Sequence, residues 1–257
     1  MLNQDHEFRT LRNFRDIGGA QTAGGRRVAR GMIYRSANPD KISSSDIKKL
    51  HSLDIRTIID LRAPYENRKR KKVISNLETI SLPLDFEKTT REKLMPYLYK
   101  KDAYDEIDEI NSSLYIGILD SAIPVFRQVI ETLQSAERRP VLIHCQAGKD
   151  RTGVICALLQ LALEADRQSI IDDYMRSNES LIPYFRKRLR LRKILSLGFF
   201  PSETILYAIR VKEKNIQTVL DRVNDHYGGI EAYANPSGSS ALNLQYLREK
   251  LVSDPQC

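Results

Sequence analysis

One stretch constrains the fold more than any other. Residues 141–153 have the sequence VLIHCQAGKDRTG, which predicts a buried strand, a polar turn and a helix start in immediate succession. The apolar run Val141, Leu142 and Ile143 is typical of a central strand covered on both faces. Gly148 permits a positive φ within the turn that follows. The stretch therefore predicts an α/β fold in which a polar turn closes the end of a central strand.

This turn has the composition of an anion-binding loop. Its successive backbone N–H groups can point into one concavity, and the helix predicted to start near Thr152 adds partial positive charge at its N-terminus. Arg151 offers a planar fork for two phosphate oxygens. A thiol beside a helix N-terminus and an arginine ionises readily, so Cys145 is the candidate nucleophile. The predicted phosphate-binding residues are Gln146, Ala147, Gly148, Lys149, Asp150, Arg151 and Thr152.

These residues resemble the signature of the cysteine-dependent protein tyrosine phosphatase superfamily, which is His-Cys, five residues, Arg, and then Ser or Thr. His144, Cys145, Arg151 and Thr152 match it, and we interpret His144 as structural support of the loop. The string HCQAGKDRTG is similar to a bacterial branch of atypical members with dual or triple specificity. Other segments that agree with this branch are NFRDIGG at 13–19, YRSANPDKIS from 34, IIDLRAPYE at 58–66, YGG from 227 and IEAY from 230.

The general acid that protonates the leaving oxygen has three candidates. Asp150 is the first, because it lies beside Arg151 and the resembled branch uses an aspartate at this position; its alternative role is a helix cap worth about 1 kcal/mol. Asp85 follows a predicted strand where the superfamily often carries its acid, although the usual Trp-Pro-Asp pattern is missing. Asp60 ends a predicted strand at the edge where α/β sheets bind ligands, and a salt bridge is its alternative role.

The resemblance implies a phosphatase that hydrolyses phosphomonoesters through a phosphocysteine. The implied substrates are phosphotyrosine in proteins and, in some members, phosphoserine, phosphothreonine and phosphoinositides. In the resembled lipid-active enzymes a lysine in this loop engages further inositol phosphates, so Lys149 favours phosphoinositides unless it is simply a surface lysine. A phosphoinositide-specific lipid phosphatase, a non-catalytic phosphate-recognition module and a rhodanese-type sulfurtransferase are the alternatives. No metal or other cofactor is predicted.

The net charge of +8 favours anionic partners, namely phosphopeptides, phosphoinositide head groups, acidic membrane surfaces and nucleic acid. No zinc spacing, RNA-binding aromatic motif or glycine-arginine repeat accompanies the charge, so nucleic acid is not a predicted partner. Five consecutive basic residues at 68–72 and an amphipathic basic segment at 181–200 predict either solvated surfaces or transient contact with an anionic membrane. The oligomeric state is not predicted.

The three cysteines lack regular spacing, which argues against a disulfide framework and for a reducing compartment. The first ten residues lack the pattern of a signal peptide. We therefore expect a cytoplasmic protein, with leaderless secretion as the alternative. Cys156 follows the turn among apolar residues, which predicts a buried core position rather than a redox partner of Cys145.

The pattern of elements predicts one α/β phosphatase domain over residues 1–257, with a central, mostly parallel sheet flanked by helices. By resemblance this fold is tyrosine-phosphatase-like. Residues 55–61 are β-branched and predict a second central strand. Residues 86–104 are charged and irregular, which predicts a flap. Residues from about 165 to 205 are predicted to form a helical, lid-like insertion, for which a core-packing helix with a basic outer face is the alternative.

Overall fold

The structure is a computed structural model. A five-stranded sheet forms the frame of the molecule. The structure describes residues 8–67, 74, 77–85, 87–100, 102–237, 239 and 241–254, and the basic run at 68–72 and Cys257 lie outside them. The strands of this sheet and of a second, two-stranded sheet are β1 (Arg15–Asp16), β2 (Arg27–Val28), β3 (Ile33–Ser36), β4 (Thr57–Asp60), β5 (Glu78–Ser81), β6 (Val141–His144) and β7 (Val252–Ser253).

The strand order of the main sheet is β1-β3-β6-β4-β5, and β2 pairs with β7 separately. β1 is antiparallel to β3, whereas β3, β6, β4 and β5 are parallel to their neighbours. Ser36 and Asp60 lie in register on either side of His144, so the carboxyl ends of three parallel strands meet at one edge. The predicted mostly parallel sheet is confirmed.

The helices follow the strands in the pattern that the sequence predicts for an α/β chain. The α-helices are α1 (Ser44–Ser52), α2 (Glu87–Leu98), α3 (Tyr104–Ser121), α4 (Ile123–Gln134), α5 (Arg151–Ala162), α6 (Arg167–Met175), α7 (Ser177–Leu195), α8 (Ser202–Ile209), α9 (Glu213–Asp225), α10 (Ile230–Ala234) and α11 (Leu244–Leu251). Two short 3₁₀ helices cover Pro64–Asn67 and Ala136–Arg138.

The core lies on both faces of the sheet. Along β6 the side chains alternate, so that Val141 and Ile143 join the main core while Leu142 packs on the other face with Leu50 of α1. α5 is buried on nearly every side, which explains why its sequence is apolar all round. The phosphate loop, defined here as residues 145–151, therefore connects two of the most buried elements of the molecule.

The predicted flap at 86–104 is wrong for most of its length, because residues 87–98 form α2. Pro96 lies within the last turn of this helix, where it removes the one backbone hydrogen bond that an N–H there would donate to the carbonyl of Glu92. Contacts with α3 and α8 hold α2 in place. Tertiary packing therefore stabilises a helix that its charged, weakly amphipathic sequence does not indicate.

The predicted insertion at about 165–205 contains two kinds of helix. α6 packs in the main core through Ile170, Ile171 and Tyr174. α7 and α8 pack on each other around a small cluster of their own, centred on Ile182, Leu189 and Leu206. Only α7 and α8 therefore have the separate packing that the prediction implies, and the division into domains stays a prediction.

Among the described helices, none alone has the length and hydropathy of a membrane span. The pair of α3 and α4 has that length and hydropathy only when the two helices are joined across the bend of 58° between them.

Candidate active site

The phosphate loop begins directly after β6, and α5 starts at its last residue. Cys145, the first residue of the loop, is only 3% exposed. Gly148 has a φ of +68°, and a Cβ atom added there would lie 2.3 Å from the carbonyl oxygen of Ser36. Glycine is therefore required at this position both by the backbone conformation and by the close approach of β3.

Two carbonyls of the phosphate loop are tied to residues outside it. Asn13 Nδ2 donates to the carbonyl oxygens of Gly148, at 2.8 Å, and Ala147, at 3.3 Å. Arg35 donates to the Gly148 carbonyl at 2.9 Å. Because the C=O and N–H of one trans peptide unit point in opposite directions, these bonds direct the N–H groups of Gly148 and Lys149 away from Asn13 and Arg35. Within the described part of the chain, the amides of 146–150 donate to no backbone carbonyl, which leaves them available to an anion.

A buried ion-pair network stands behind these bonds. Asp173 of α6 pairs with Arg15 at 2.7 Å and with Arg35 at 2.6 Å, and all three side chains are less than 10% exposed. Burial opposes ionisation of Asp173, but the two guanidinium groups keep its pKa below the ordinary value. Arg15 also donates to Asn13 Oδ1 at 2.6 Å. The network thus orients both side chains that hold the loop.

Arg35 uses one side chain for both contacts, the ion pair with Asp173 and the hydrogen bond to the loop. Sequence reasoning did not identify Asn13, Arg15 or Asp173. The NFRDIGG and YRS segments that carry the resemblance contain the first two and Arg35, whereas Asp173 had no recognisable signal.

Arg151 is held in a fixed orientation by a residue that sequence reasoning also did not single out. Its two terminal nitrogens donate to the two carboxylate oxygens of Glu66 at 2.6 and 2.9 Å. One of them also donates to the carbonyl oxygen of Leu84, at 3.2 Å. Glu66 lies in the 3₁₀ helix after β4, at the end of the IIDLRAPYE segment. This bidentate pair fixes the plane of the Arg151 guanidinium beside the phosphate loop.

Asp150 occupies the N-cap position of α5 but makes no capping hydrogen bond with its side chain, so the helix-cap interpretation is wrong. Its Oδ1 instead accepts hydrogen bonds from Tyr115, at 2.5 Å, and from Lys149, at 2.7 Å. Tyr174 donates to the Tyr115 hydroxyl at 2.6 Å. Burial raises the pKa of Tyr115 well above its ordinary value, so this phenol stays protonated and donates.

The alternative acids Asp60 and Asp85 lie outside the described lining of the site cavity. Asp60 is buried and accepts hydrogen bonds from Arg62, which in turn pairs with Asp40. Desolvation opposes ionisation of Asp60, but the bonds from Arg62 outweigh it and lower its pKa, which keeps the carboxylate ionised. Asp85 is exposed and accepts from Tyr65 at 2.6 Å.

His144 and Thr152 flank the loop and are fully buried. Burial lowers the pKa of His144 to about 4, so the imidazole is neutral at physiological pH. Its Nε2 lies 3.8 Å from Asp60 Oδ2. The Thr152 hydroxyl has no hydrogen-bond partner among the described residues and does not bond the cysteine sulfur here. Burial raises the pKa of Cys156 to about 11, which keeps this second cysteine a thiol.

The loop opens into a cavity of about 1040 Å³. Of the predicted site residues, Cys145, Gln146, Ala147, Lys149, Asp150 and Arg151 line it together with Glu66. Further cations at its border are Arg12, Lys41, Arg188 and Arg192. Among the described residues, no group of three His, Cys, Asp or Glu side chains has the geometry of a metal site. The cavity combines a buried thiol, an oriented guanidinium and a loop whose amides of 146–150 donate to no backbone carbonyl of the described residues, which are the chemical features of an anion-binding site.

The sequence profile of the tyrosine phosphatase family matches residues 6–253, nearly the whole chain. The chain belongs to the tyrosine phosphatase family. It is similar to the triple specificity protein phosphatase PtpB of Mycobacterium tuberculosis, with 26% identity over 93% of this chain and 96% of PtpB. A tyrosine-protein phosphatase of Nostoc commune is 28% identical over 85% of this chain and 74% of its own length. The inositol diphosphatase DSP2 of Arabidopsis thaliana is 30% identical over 56% of this chain and 58% of its own length.

This tyrosine phosphatase family member is an enzyme that hydrolyses phosphomonoesters, as the resemblance in the sequence implied. The predicted family, fold class and enzyme class are confirmed.

Proposed function

We propose that this phosphatase acts through a covalent phosphocysteine on Cys145. The observation that carries the proposal is the shared cavity, which is lined by the buried thiol and by Arg151, whose guanidinium is oriented by Glu66. The amides of the loop and the Arg151 fork bind the three non-bridging phosphate oxygens. Because these donors are held in place before substrate binds, they stabilise the charge of the transition state without reorganising.

In the first step the Cys145 thiolate forms a bond to phosphorus while the ester P–O bond breaks. The leaving oxygen takes a proton from Asp150, and the released alcohol or phenol departs. In the second step water attacks phosphorus, the P–S bond breaks and Asp150 takes back a proton. Inorganic phosphate and the free thiolate result, so the cycle consumes only water.

Three observations support Asp150 as the acid rather than Asp60 or Asp85. It lines the cavity, its Oδ1 is occupied by Tyr115 and Lys149, and its Oδ2 accepts no hydrogen bond from the described residues. A proton on Oδ2 is therefore compatible with both existing bonds. Tyr115 acts as a positioning residue, because its donated hydrogen bond selects one orientation of the carboxyl group.

The proposed substrates are phosphotyrosine in proteins, with phosphoserine, phosphothreonine and phosphoinositides as further substrates. The triple specificity named for PtpB and the inositol substrates named for DSP2 support this breadth. Lys149, at the mouth of the loop, offers a second cation to a substrate with another phosphate. Because Lys149 offers this second cation, a phosphoinositide-specific enzyme is the second candidate.

We also propose transient contact with an anionic membrane, while the cytoplasmic location stays a prediction. The end of α7 and the turn after it expose Leu195, Leu197 and Phe199 by 76–88%. Exposed Arg and Lys side chains precede them along α7, at positions 186, 187, 190, 192 and 193. Each basic residue near an anionic surface contributes about 1 kcal/mol. Vesicles containing phosphatidylserine should sediment the protein, and vesicles of phosphatidylcholine alone should not.

Phosphate release tests the proposed function directly. We would compare wild type and Cys145→Ser on a phosphotyrosine peptide, a phosphoserine peptide and the phosphoinositides at one enzyme concentration. We expect release to depend on Cys145 and to be fastest from phosphotyrosine. Faster release from phosphoinositides would favour the second candidate. No release from any substrate would favour a phosphate-recognition module, and a persulfide on Cys145 would favour the sulfurtransferase.

A substrate with a poor leaving group separates the candidate acids. Asp150→Asn should slow its hydrolysis by about 100- to 10,000-fold, whereas Asp85→Asn and Asp60→Asn should leave the acid step in place. If Asp150→Asn hydrolyses this substrate at the wild-type rate and Asp85→Asn does not, Asp85 is the acid.

A further inference from the structure

The cavity extends well beyond the space that a phosphate group needs. At about 1040 Å³ it reaches the upper limit of pockets that enclose drug-sized ligands. The phosphate loop, residues within 10–12 and 37–41 and Glu66 line one part of it, and the remaining walls come from lining residues of α2, α3, α7 and α8. Apolar side chains dominate these walls, among them Leu94, Leu98, Leu114, Phe185, Ile205 and Ile209.

These wall residues keep part of their apolar surface uncovered. All six are partly exposed, although each belongs to a helix that packs on its neighbours. Phe185 and Ile205 pack only on the small cluster between α7 and α8, apart from the main core. Covering such surface is favourable by about 25 cal/mol per Å². The wall can therefore contribute binding free energy to an apolar ligand.

Basic side chains outnumber acidic ones in the lining of the cavity. Three acidic residues line it, and each is paired with a cation: Glu66 with Arg151, Asp150 with Lys149, and Asp40 with Arg62. Among the ion pairs of the described residues, no such acidic partner is found for the basic lining residues Arg12, Lys41, Arg188 and Arg192. The cavity is thus suited to a ligand that carries both an anionic group and an apolar group.

We propose that the apolar wall is a subsite for the unbranched hydrocarbon chain of an amphiphilic phosphomonoester whose phosphate binds the loop of Cys145. The proposal rests on the proposed function, since it assumes that phosphate binds at this loop. A peptide fits the wall less well, because its backbone N–H and C=O groups would face apolar side chains without hydrogen-bond partners. A hydrocarbon chain has no such groups to leave unpaired.

The test uses n-alkylphosphonates from butyl to decyl, each below its micelle concentration, as competitive inhibitors of phenyl phosphate hydrolysis. Their C–P bond resists hydrolysis, so the inhibition constant reports binding alone. Burying one methylene contributes about 0.8 kcal/mol, which corresponds to roughly fourfold in affinity. We expect the inhibition constant to fall by about two- to fourfold per methylene in wild type.

Substitutions in the apolar wall test where the hydrocarbon chain binds. Leu98→Asn and Ile205→Asn should each reduce the ratio of the butyl to the decyl inhibition constant by at least about tenfold. Leu191→Asn is the matched control, because Leu191 is 59% exposed on α7 and lies outside the described cavity lining. It should leave that ratio and phenyl phosphate hydrolysis unchanged.

Four results overturn the subsite. The first is an inhibition constant that does not depend on chain length in wild type, and the second is the same dependence in Leu98→Asn and Ile205→Asn as in wild type. The third is loss of the dependence in Leu191→Asn, and the fourth is that the wall variants weaken only the binding of phosphotyrosine peptides with apolar flanks. The last result would assign the wall to peptide substrates. Failure of the proposed function is a different observation, namely no Cys145-dependent hydrolysis of phenyl phosphate at all.

Discussion

The phosphate loop and the α7–α8 wall line the same cavity but are held in different ways. The loop lies between two buried elements, and its carbonyls and Arg151 are held by Asn13, Arg35 and Glu66. The wall packs around a small cluster and leaves apolar and basic side chains uncovered. The groups proposed for the chemistry thus belong to a strongly cross-linked framework, whereas the proposed contacts with the rest of the substrate belong to a part with few such bonds.

The largest expected effect comes from removing the charge at the centre of the framework. Asp173→Asn leaves Arg15 and Arg35 buried without a counter-charge, so we expect the free energy of unfolding to fall by about 3–5 kcal/mol in urea titrations. Asp172→Asn changes an exposed neighbour that accepts a hydrogen bond from Gln168, and it should change stability by less than about 0.5 kcal/mol. Equal losses of unfolding free energy in the two variants would contradict the view that the buried ion pairs hold the framework together.

Acid should weaken the framework through His144. Its pKa is about 4 in the folded state and 6.5 when unperturbed, so the unfolded chain binds the proton more tightly. The contribution is present in full above pH 6.5, and about 3 kcal/mol is lost as the pH falls to 4. His144→Gln should flatten this part of the stability profile relative to wild type. His51→Gln, at an exposed position, should not.

Glu66→Gln tests how the Arg151 fork is oriented. The amide keeps the size of the side chain but removes the negative charge that both guanidinium nitrogens contact. Misplacement of a substrate-binding group by about 1 Å costs on the order of 100-fold in rate, and we expect a loss of that size in kcat/KM for phenyl phosphate. Glu203→Gln, at an exposed position at the start of α8, is the matched control. A wild-type rate in Glu66→Gln would show that Arg151 does not need this partner.

Tyr115→Phe tests the positioning of Asp150. Loss of one hydrogen bond of about 1–1.5 kcal/mol should lower kcat by about tenfold for substrates with poor leaving groups. Substrates with good leaving groups should be little affected, because they need less protonation. Tyr207→Phe removes a hydroxyl that also donates to an aspartate of α3, but it lies outside the described cavity lining and should change neither rate. Equal losses on both kinds of substrate would indicate a structural role for Tyr115.

The smallest effect on stability is expected at the tip of the wall, which is the turn between α7 and α8 that contains Leu197 and Phe199. Leu197→Ser with Phe199→Ser replaces two side chains that are 88% and 87% exposed. We expect the free energy of unfolding to change by less than about 0.5 kcal/mol, while sedimentation with phosphatidylserine vesicles decreases. A large loss of stability would mean that the tip belongs to the cross-linked part of the molecule.

The local parts of this molecule could be predicted from the order of residues. The run from Val141 to Gly153 indicated a strand, an anion-binding turn and a helix, because period, glycine and charge act over a few neighbouring positions. The family resemblance rested on the same stretch. The basic amphipathic character of residues 181–200 was also visible, although its interpretation as a lid or as a core helix stayed open.

Only the tertiary structure decided which distant residues support the loop. Asp173 meets Arg15 and Arg35 across more than 130 positions of sequence, and Glu66 meets Arg151 across 85. Asp150 was predicted to be a general acid or a helix cap, and in the fold its side chain makes no cap bond but accepts a hydrogen bond from Tyr115 on another helix. α2 forms because α3 and α8 pack on it. Periodicity and spacing carry information about neighbours along the chain, whereas a charge, a hydroxyl or a helix face finds its partner only when the chain has folded.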